Sequence, residues 1–455
     1  MSANIFIKST AGSDIRSLAD ADLAGVNLAD KTRVEFGSTF IAIKGAGGNS
    51  FNLIGTFSYL DPATTEYDQF TGGTVTAMTL KLADDTTVSL MNSFSLDAST
   101  VLATLTSGSS DQVFGLLGQM KFTGAAGADV MKGSVLNDVL IGGAGADQLS
   151  GSDGNDIIEG GLGADHLGGD LGIDTLTYKN SSAGVNVSLK AGTADGGEAT
   201  GDTFTGFENL AGSRYNDTLT GNNGSNVLSG GQGNDILSGG LGNDQLIGAT
   251  GVDTADYSDS RGGVTIDLLA GTATGGYATG DVLTEIENLK GSISKDYLTG
   301  NNAANLLDGG EGSDILSGGM NKDRLIGGLG NDRLDGGAAF DTLFGNAGSD
   351  TFVLTNLATS TDAIMDFEAG IDVLEVKADQ FNGGLVAGVN LTAAQLEINT
   401  TGFASTRDVR FILNSATGEL FYDNNGSAGD LTSHRLIATF ESSVAGFSIG
   451  DFDII

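Results

Sequence analysis

The chain of 455 residues carries 58 acidic against 21 basic side chains, a formal charge of −37, with no cysteine, no tryptophan, one proline and 73 glycines. Such a charge repels phosphate backbones and excludes nucleic acid as a partner. Without cysteine there is no disulfide framework, thiolate catalysis or thiolate zinc site, and His166 and His434 are too few for a multi-histidine centre.

Hard cations remain, because 45 of the 58 acids are Asp, the short carboxylate favoured in turns and oxygen-rich cation sites. Collagen needs abundant proline, so the glycine must serve turns. The opening MSANIFIKSTAGSDIR has no basic stretch followed by an apolar run, so no secretory signal peptide is expected. No apolar stretch reaches the length of a transmembrane segment.

Residues 1–123 have ordinary composition and are expected to form a small β-rich domain of unknown role. Thr74, Thr76, Thr79 and Lys81 alternate with Val75, Ala77, Leu80 and Leu82 around Met78, a strand pattern, and Asp97 to Leu105 could start a short helix. Asp61, Glu66 and Asp68 near Pro62 read as a polar loop.

Residues 124–353 repeat every nine positions in three blocks, 124–177, 212–256 and 291–353. Units such as GGAGADQLS from Gly142, GGQGNDILS from Gly230 and GGLGNDRLD from Gly327 define GGxGxDxUx, with U apolar. Position one is Gly in all eighteen units; position six is Asp in sixteen, Asn226 and Asn305 being the exceptions. Two 34-residue insertions, 178–211 and 257–290, separate the blocks and agree at 19 positions, each opening on Tyr (Tyr178, Tyr257) and closing on ENL (Glu208 to Leu210, Glu287 to Leu289). Insertion plus five units makes a 79-residue duplicated module.

The two glycines and x-G-x-D permit a tight turn, and x-U-x is long enough for one short strand. Stacked units make a parallel β-roll with the U residues inside. Parallel strands stack at about 4.8 Å, so aligned Asp side chains would repel by about 1 kcal/mol in water and several-fold more at lower dielectric. A cation must sit among them. Calcium suits irregular sets of six to eight oxygens, whereas magnesium demands an octahedron and keeps its waters. Folding and calcium binding are then coupled.

These units resemble the repeats-in-toxin (RTX) family of calcium-binding β-rolls. The resemblance implies an all-β fold, a parallel β-roll solenoid flanked by the N-terminal β-rich domain and a C-terminal β-rich cap. It also implies ions bound between turns on one side of the roll, by the position-six Asp and carbonyls of neighbouring turns. Carried onto this chain, the metal ligands are Asp129, Asp138, Asp147, Asp156, Asp165, Asp174, Asp217, Asp235, Asp244, Asp253, Asp296, Asp314, Asp323, Asp332, Asp341 and Asp350. If pairing joins units i and i+2, the blocks offer twelve sites at most, and the departures from the pattern reduce this to roughly eight to ten ions. GSVLND, GSRYND and GSISKD, and the Asn units, are expected to begin the coil without full sites; Asn321 and Ala339 at position four put two further sites in doubt.

Residues 354–455 resemble the serralysin-like C-terminal domain of type I secreted proteins, through DAIMDFEAGID (Asp362 to Asp372), NSATGELFYD (Asn414 to Asp423) and the tail DFDII. This implies a capping and secretion domain, export by a type I secretion apparatus from a Gram-negative cell, and an extracellular or cell-surface location. No H-E-x-x-H, G-x-S-x-G or G-K-S/T motif is present, so no catalytic residues and no enzyme activity are expected. His166 reads as a solvent-facing strand residue and His434 as a surface or cap residue; the loop 423–430 reads as a simple turn. The resulting expectation is a calcium-folded structural component, a surface layer or biofilm matrix, with self-assembly or cell-surface polysaccharide as partners. The alternative is a secreted effector, adhesin or small hydrolase whose activity lies in residues 1–123.

Overall fold

The computed structural model describes residues 120–124, 126–133, 135–354, 361–381, 384–424 and 434–455, and before residue 120 the backbones of eight strands between Asn4 and Asp97. Its regular elements are strands and a few single-turn 3-10 helices, so the fold is all-β. The chain divides into two compact units, Met1–Arg214 and Tyr215–Ile455.

In the first unit, strand Asn4–Lys8 lies between Ile15–Ala19 and Lys31–Phe36. Antiparallel pairing then runs through Phe40–Gly45, Ser50–Tyr59, Phe70–Lys81 and Thr87–Leu90 to Met120–Thr123. The strand read at residues 74–82 matches Phe70–Lys81 as far as Lys81, and residue 82 lies outside the described residues. Asp97 closes the short strand Leu96–Asp97, while residues 98–105 and the loop at 61–68 lie outside the described residues.

Met120–Thr123 is where the pairing changes from antiparallel to parallel, against Val139–Ala144, which pairs in turn with Ile157–Leu162, then Thr175–Thr177, then Asn209–Ala211. The units between supply a second parallel sheet, Val130–Lys132, Gln148–Ser150, His166–Gly168 and Thr203–Thr205. Successive nonapeptides therefore alternate between two sheets, and residues 18 apart stack in register. That is the parallel β-roll the repeat predicted. The insertion departs after Tyr178, forms an antiparallel hairpin of Asn186–Ser188 with Thr193–Asp195, turns at Gly197–Ala199 and re-enters both sheets through Thr203–Thr205 and Asn209–Ala211.

The second unit repeats the plan. One sheet runs from Thr218–Thr220 through Ile236–Ser238, Thr254–Asp256, Asn288–Lys290, Leu306–Glu311 and Arg324–Leu329 to Thr342–Ala347. Another runs from Thr265–Asp267 through Tyr297–Thr299, Ile315–Gly319 and Arg333–Gly337 to Thr351–Leu354. Both continue past the last nonapeptide. Asp362–Ile364 and His434–Phe440 extend the first, and Val373–Val376 and the tail Phe452–Ile454 extend the second. The hairpin Phe411–Asn414 with Glu419–Asp423 pairs onto His434–Phe440. Phe367, Phe440, Phe447, Phe452 and Phe411 pack ring to ring at 4.7–5.7 Å beneath it.

The core is the position-eight row. All eighteen of these residues, from Met131 through Leu140, Leu237 and Leu316 to Phe352, are buried. A buried Leu contributes roughly 2 kcal/mol relative to exposure. His166 is exposed, with its Nδ1 2.7 Å from the Thr203 hydroxyl, as its strand position implied. Of the two expected places for His434, surface or cap, the structure gives the cap: its side chain is only 3% exposed, beside Asp423 on the paired strand.

Candidate metal centre

In units that carry all three, the glycines of the turn serve different purposes. Positions two and four take positive φ, as at Gly143 (105°) and Gly145 (143°), where a side chain is strained. Position one does not, but a Cβ on Gly142 would lie 2.3 Å from Asp147 Oδ2 and 2.4 Å from the Gly160 carbonyl oxygen. The missing side chain leaves a cradle, bounded by the carboxylate of its own unit and by the main-chain oxygen of the unit stacked two further on. The same arrangement recurs at Gly309 with Asp314 and Gly327, and at Gly318 with Asp323 and Gly336.

All sixteen position-six Asp side chains are buried. Each accepts at Oδ1, or donates from its main-chain N–H, along a ladder with an 18-residue step. The N–H of Asp129 donates to Asp147, Asp147 to Asp165, Asp138 to Asp156 and Asp156 to Asp174, at 2.7–2.8 Å. In the second unit Asp217 donates to Asp235, Asp235 to Asp253, Asp296 to Asp314, Asp314 to Asp332, Asp323 to Asp341 and Asp332 to Asp350. The N–H groups of Asn226 and Asn305 donate in the same way to Asp244 and Asp323. The ladder thus joins units i and i+2 by hydrogen bonds.

The other oxygen decides the chemistry. Oδ2 of Asp147, Asp156, Asp165, Asp174, Asp235, Asp244, Asp253, Asp314, Asp323, Asp332 and Asp341 is buried without a hydrogen-bond partner. An unpaired buried carboxylate oxygen is costly, so it must be protonated or meet a cation. Burial, opposed by the ladder hydrogen bond and reinforced by stacked Asp neighbours, pushes Asp156, Asp235 and Asp314 up to about 7. Asp323, raised by burial and by Asp341, also reaches about 7, and burial raises Asp174 and Asp244 to about 6. Among the described residues no three carboxylate or imidazole groups converge at one point. A cation here would need further oxygens from the main chain, of which the carbonyl bounding the position-one cradle is one. A donor set of carboxylate and carbonyl oxygens suits calcium.

The first two units of the third block differ from the ladder units above. Asn305 donates from Nδ2 to the Glu287 carbonyl oxygen at 2.6 Å, so a proton stands where other units leave a bare oxygen. Asp296 is saturated by the N–H groups of Val264 and Ser292 and by the Ser292 hydroxyl. The position-four departures keep a positive φ, 67° at Asn321 and 105° at Ala339 against 140° at Gly312 and 130° at Gly330, and Asp323 and Asp341 keep the buried bare oxygen.

Six ladder members lie outside the nonapeptides and escaped the sequence reading. The N–H groups of Asp165 and Asp174 donate to Asp202 and Glu208 of the first insertion, and those of Asp244 and Asp253 to Asp281 and Glu287 of the second, at 2.8–2.9 Å. Asp341 and Asp350 donate to Asp362 and Asp372 of the C-terminal segment. Tyr178 and Tyr257 donate their hydroxyls to Oδ2 of Asp202 and Asp281. The signal was available, since all of the insertion residues recur after 79 positions in both copies.

The RTX calcium-binding nonapeptide repeat family matches residues 123–158, 141–176, 202–237, 220–255, 290–325 and 326–354. The chain is an RTX β-roll protein. Its repeats bind calcium, several ions per array, and the bare Oδ2 atoms of this β-roll fit that ion. Among solved structures it is similar to the AlgE6R3 subunit of the Azotobacter vinelandii mannuronan C5-epimerase, at 23% identity over 36% of this chain and 76% of that one, with a TM-score of 0.21. No curated protein matches the RTX chain. Among the described residues no helix is long and apolar enough to cross a membrane.

Proposed function

We propose that this RTX protein is an extracellular structural component of the cell surface or matrix, folded by calcium at its position-six Asp ladder and exported by a type I apparatus. The observation that carries the reading is the row of buried Oδ2 atoms without partners. Their charge opposes folding where calcium is scarce, as in a cytosol, and calcium at extracellular levels removes the opposition. A chain that folds only after export suits that route, and RTX repeats are typical of secreted proteins. Residues 124–353 form the calcium-binding array in this reading, and residues 354–455 cap it and carry the export signal.

Calcium titration of the full chain, followed by far-UV circular dichroism and negative-stain microscopy on the same samples, tests it. Cooperative gain of β signal with ordered sheets or filaments is expected. Monomeric particles at millimolar calcium would overturn the assembly role while leaving calcium-driven folding in place.

A further inference from the structure

The two insertions share one scaffold but not one chemistry. In the first, the Ser181 hydroxyl accepts from the Glu198 N–H at 3.0 Å, tying the turn after Tyr178 to the 3-10 turn Gly197–Ala199. In the second, the Ser260 hydroxyl accepts from the Tyr277 N–H at 3.1 Å in the equivalent place. Beneath the first sits Glu159, at position nine of the unit from Gly151. Position nine is half-buried at Ser150, Ser229 and Ser238, but the first insertion covers Glu159 until 4% of it is exposed.

Glu159 Oε1 accepts from Asn180 Nδ2 at 2.6 Å, whereas Oε2 is buried with no hydrogen-bond partner. Strand Ile157–Leu162 packs on the 3-10 turn that carries Glu198. Glu198 is half-buried, and its carboxyl is raised by burial first and then by the charges of Glu159 and Asp165. The arrangement thus holds a fully covered, singly bonded carboxylate against a second one. The residues 79 positions on are Ser238, Asp259 and Tyr277, so the second copy lacks both carboxylates.

We infer that the first insertion builds a further calcium site outside the nonapeptide pattern, with Glu159 Oε2 and the Glu198 carboxylate as ligands and Asn180 orienting Glu159. It rests on the RTX reading for the choice of ion, since the hard oxygen donors are those of the ladder. A buried carboxylate with one bare oxygen is stable when a cation fills the gap.

The test counts calcium bound per full-length chain by equilibrium dialysis and native mass spectrometry, with folding followed by circular dichroism. Glu159→Gln and Glu198→Gln should each bind one ion fewer than the parent, and the double variant also one fewer, because the two residues share one site. Asp235→Asn serves as a ladder control that loses an ion independently, so combining it with Glu159→Gln should lose two. The paired substitution Ser238→Glu with Tyr277→Glu should gain one ion in the second copy. If the parent binds ladder ions but both glutamine variants bind the same number, the added site is wrong while the RTX reading stands. If the parent binds no calcium, the RTX reading itself falls.

Discussion

The main-chain N–H of Asp147 donates to Oδ1 of Asp165 at 2.8 Å, while Oδ2 of the same Asp165 side chain has no hydrogen-bond partner. One carboxylate thus does two jobs. Its first oxygen joins turns that lie 18 residues apart, and its second holds a charge that the protein alone does not neutralise.

Asp156→Asn and Asp235→Asn separate these jobs. The amide keeps an acceptor for Asp138 or Asp217 and places N–H groups where the bare oxygen stood, as Asn305 already does. Each variant should lose one calcium and, at calcium about a hundredfold above its dissociation constant, lose about 3 kcal/mol of stability. In chelator the same variants should be as stable as the parent or more so. Urea unfolding with and without calcium reads both effects.

Without calcium, protons should substitute for the ion. The ladder carboxyls are raised above their ordinary value by burial, to about 7 at Asp156, Asp235 and Asp314. A group whose folded-state pKa is raised favours folding below its unfolded pKa and loses that contribution as pH rises through the folded one. The chelated protein should therefore hold most β structure near pH 4 and lose it between about pH 4 and 7. Calcium should abolish that loss. A circular dichroism pH series in chelator showing greatest order at pH 8 would contradict the assignment.

Ala339 occupies a position-four site at φ 105°, where most units place glycine. Ala339→Gly should stabilise the calcium-loaded protein by about 1 kcal/mol, since the strain relieved outweighs the added freedom of the unfolded chain. Leu334→Ala, in the fully buried row next to it, should cost about 2–5 kcal/mol. Thermal unfolding of both variants gives the two signs.

Tyr178→Phe removes the hydroxyl that donates to Oδ2 of the buried Asp202 at 3.0 Å. The cost should be about 1–3 kcal/mol, because a buried carboxylate loses its partner. Tyr257→Phe should behave alike, as its hydroxyl meets Asp281 at 2.9 Å. Hydrogen exchange of the insertion should rise in each variant before that of the nonapeptide strands.

The nonapeptide period by itself determined the β-roll, its position-eight core, the stacking of Asp residues 18 apart and the need for a hard cation. These follow from local geometry repeated without change: a turn that glycine permits, a strand of fixed rise and an acid at a constant phase. Only the tertiary structure decided which non-repeat acids join the ladder. Asp202 and Glu208 meet Asp165 and Asp174 because the first insertion leaves the sheets after Tyr178 and re-enters them at Thr203 and Asn209, 37 and 34 residues beyond the strands they pair with. The burial of His434 and the bare oxygen of Glu159 have the same origin. Each depends on what a distant segment covers, and coverage is set by the path of the chain, which no local pattern records.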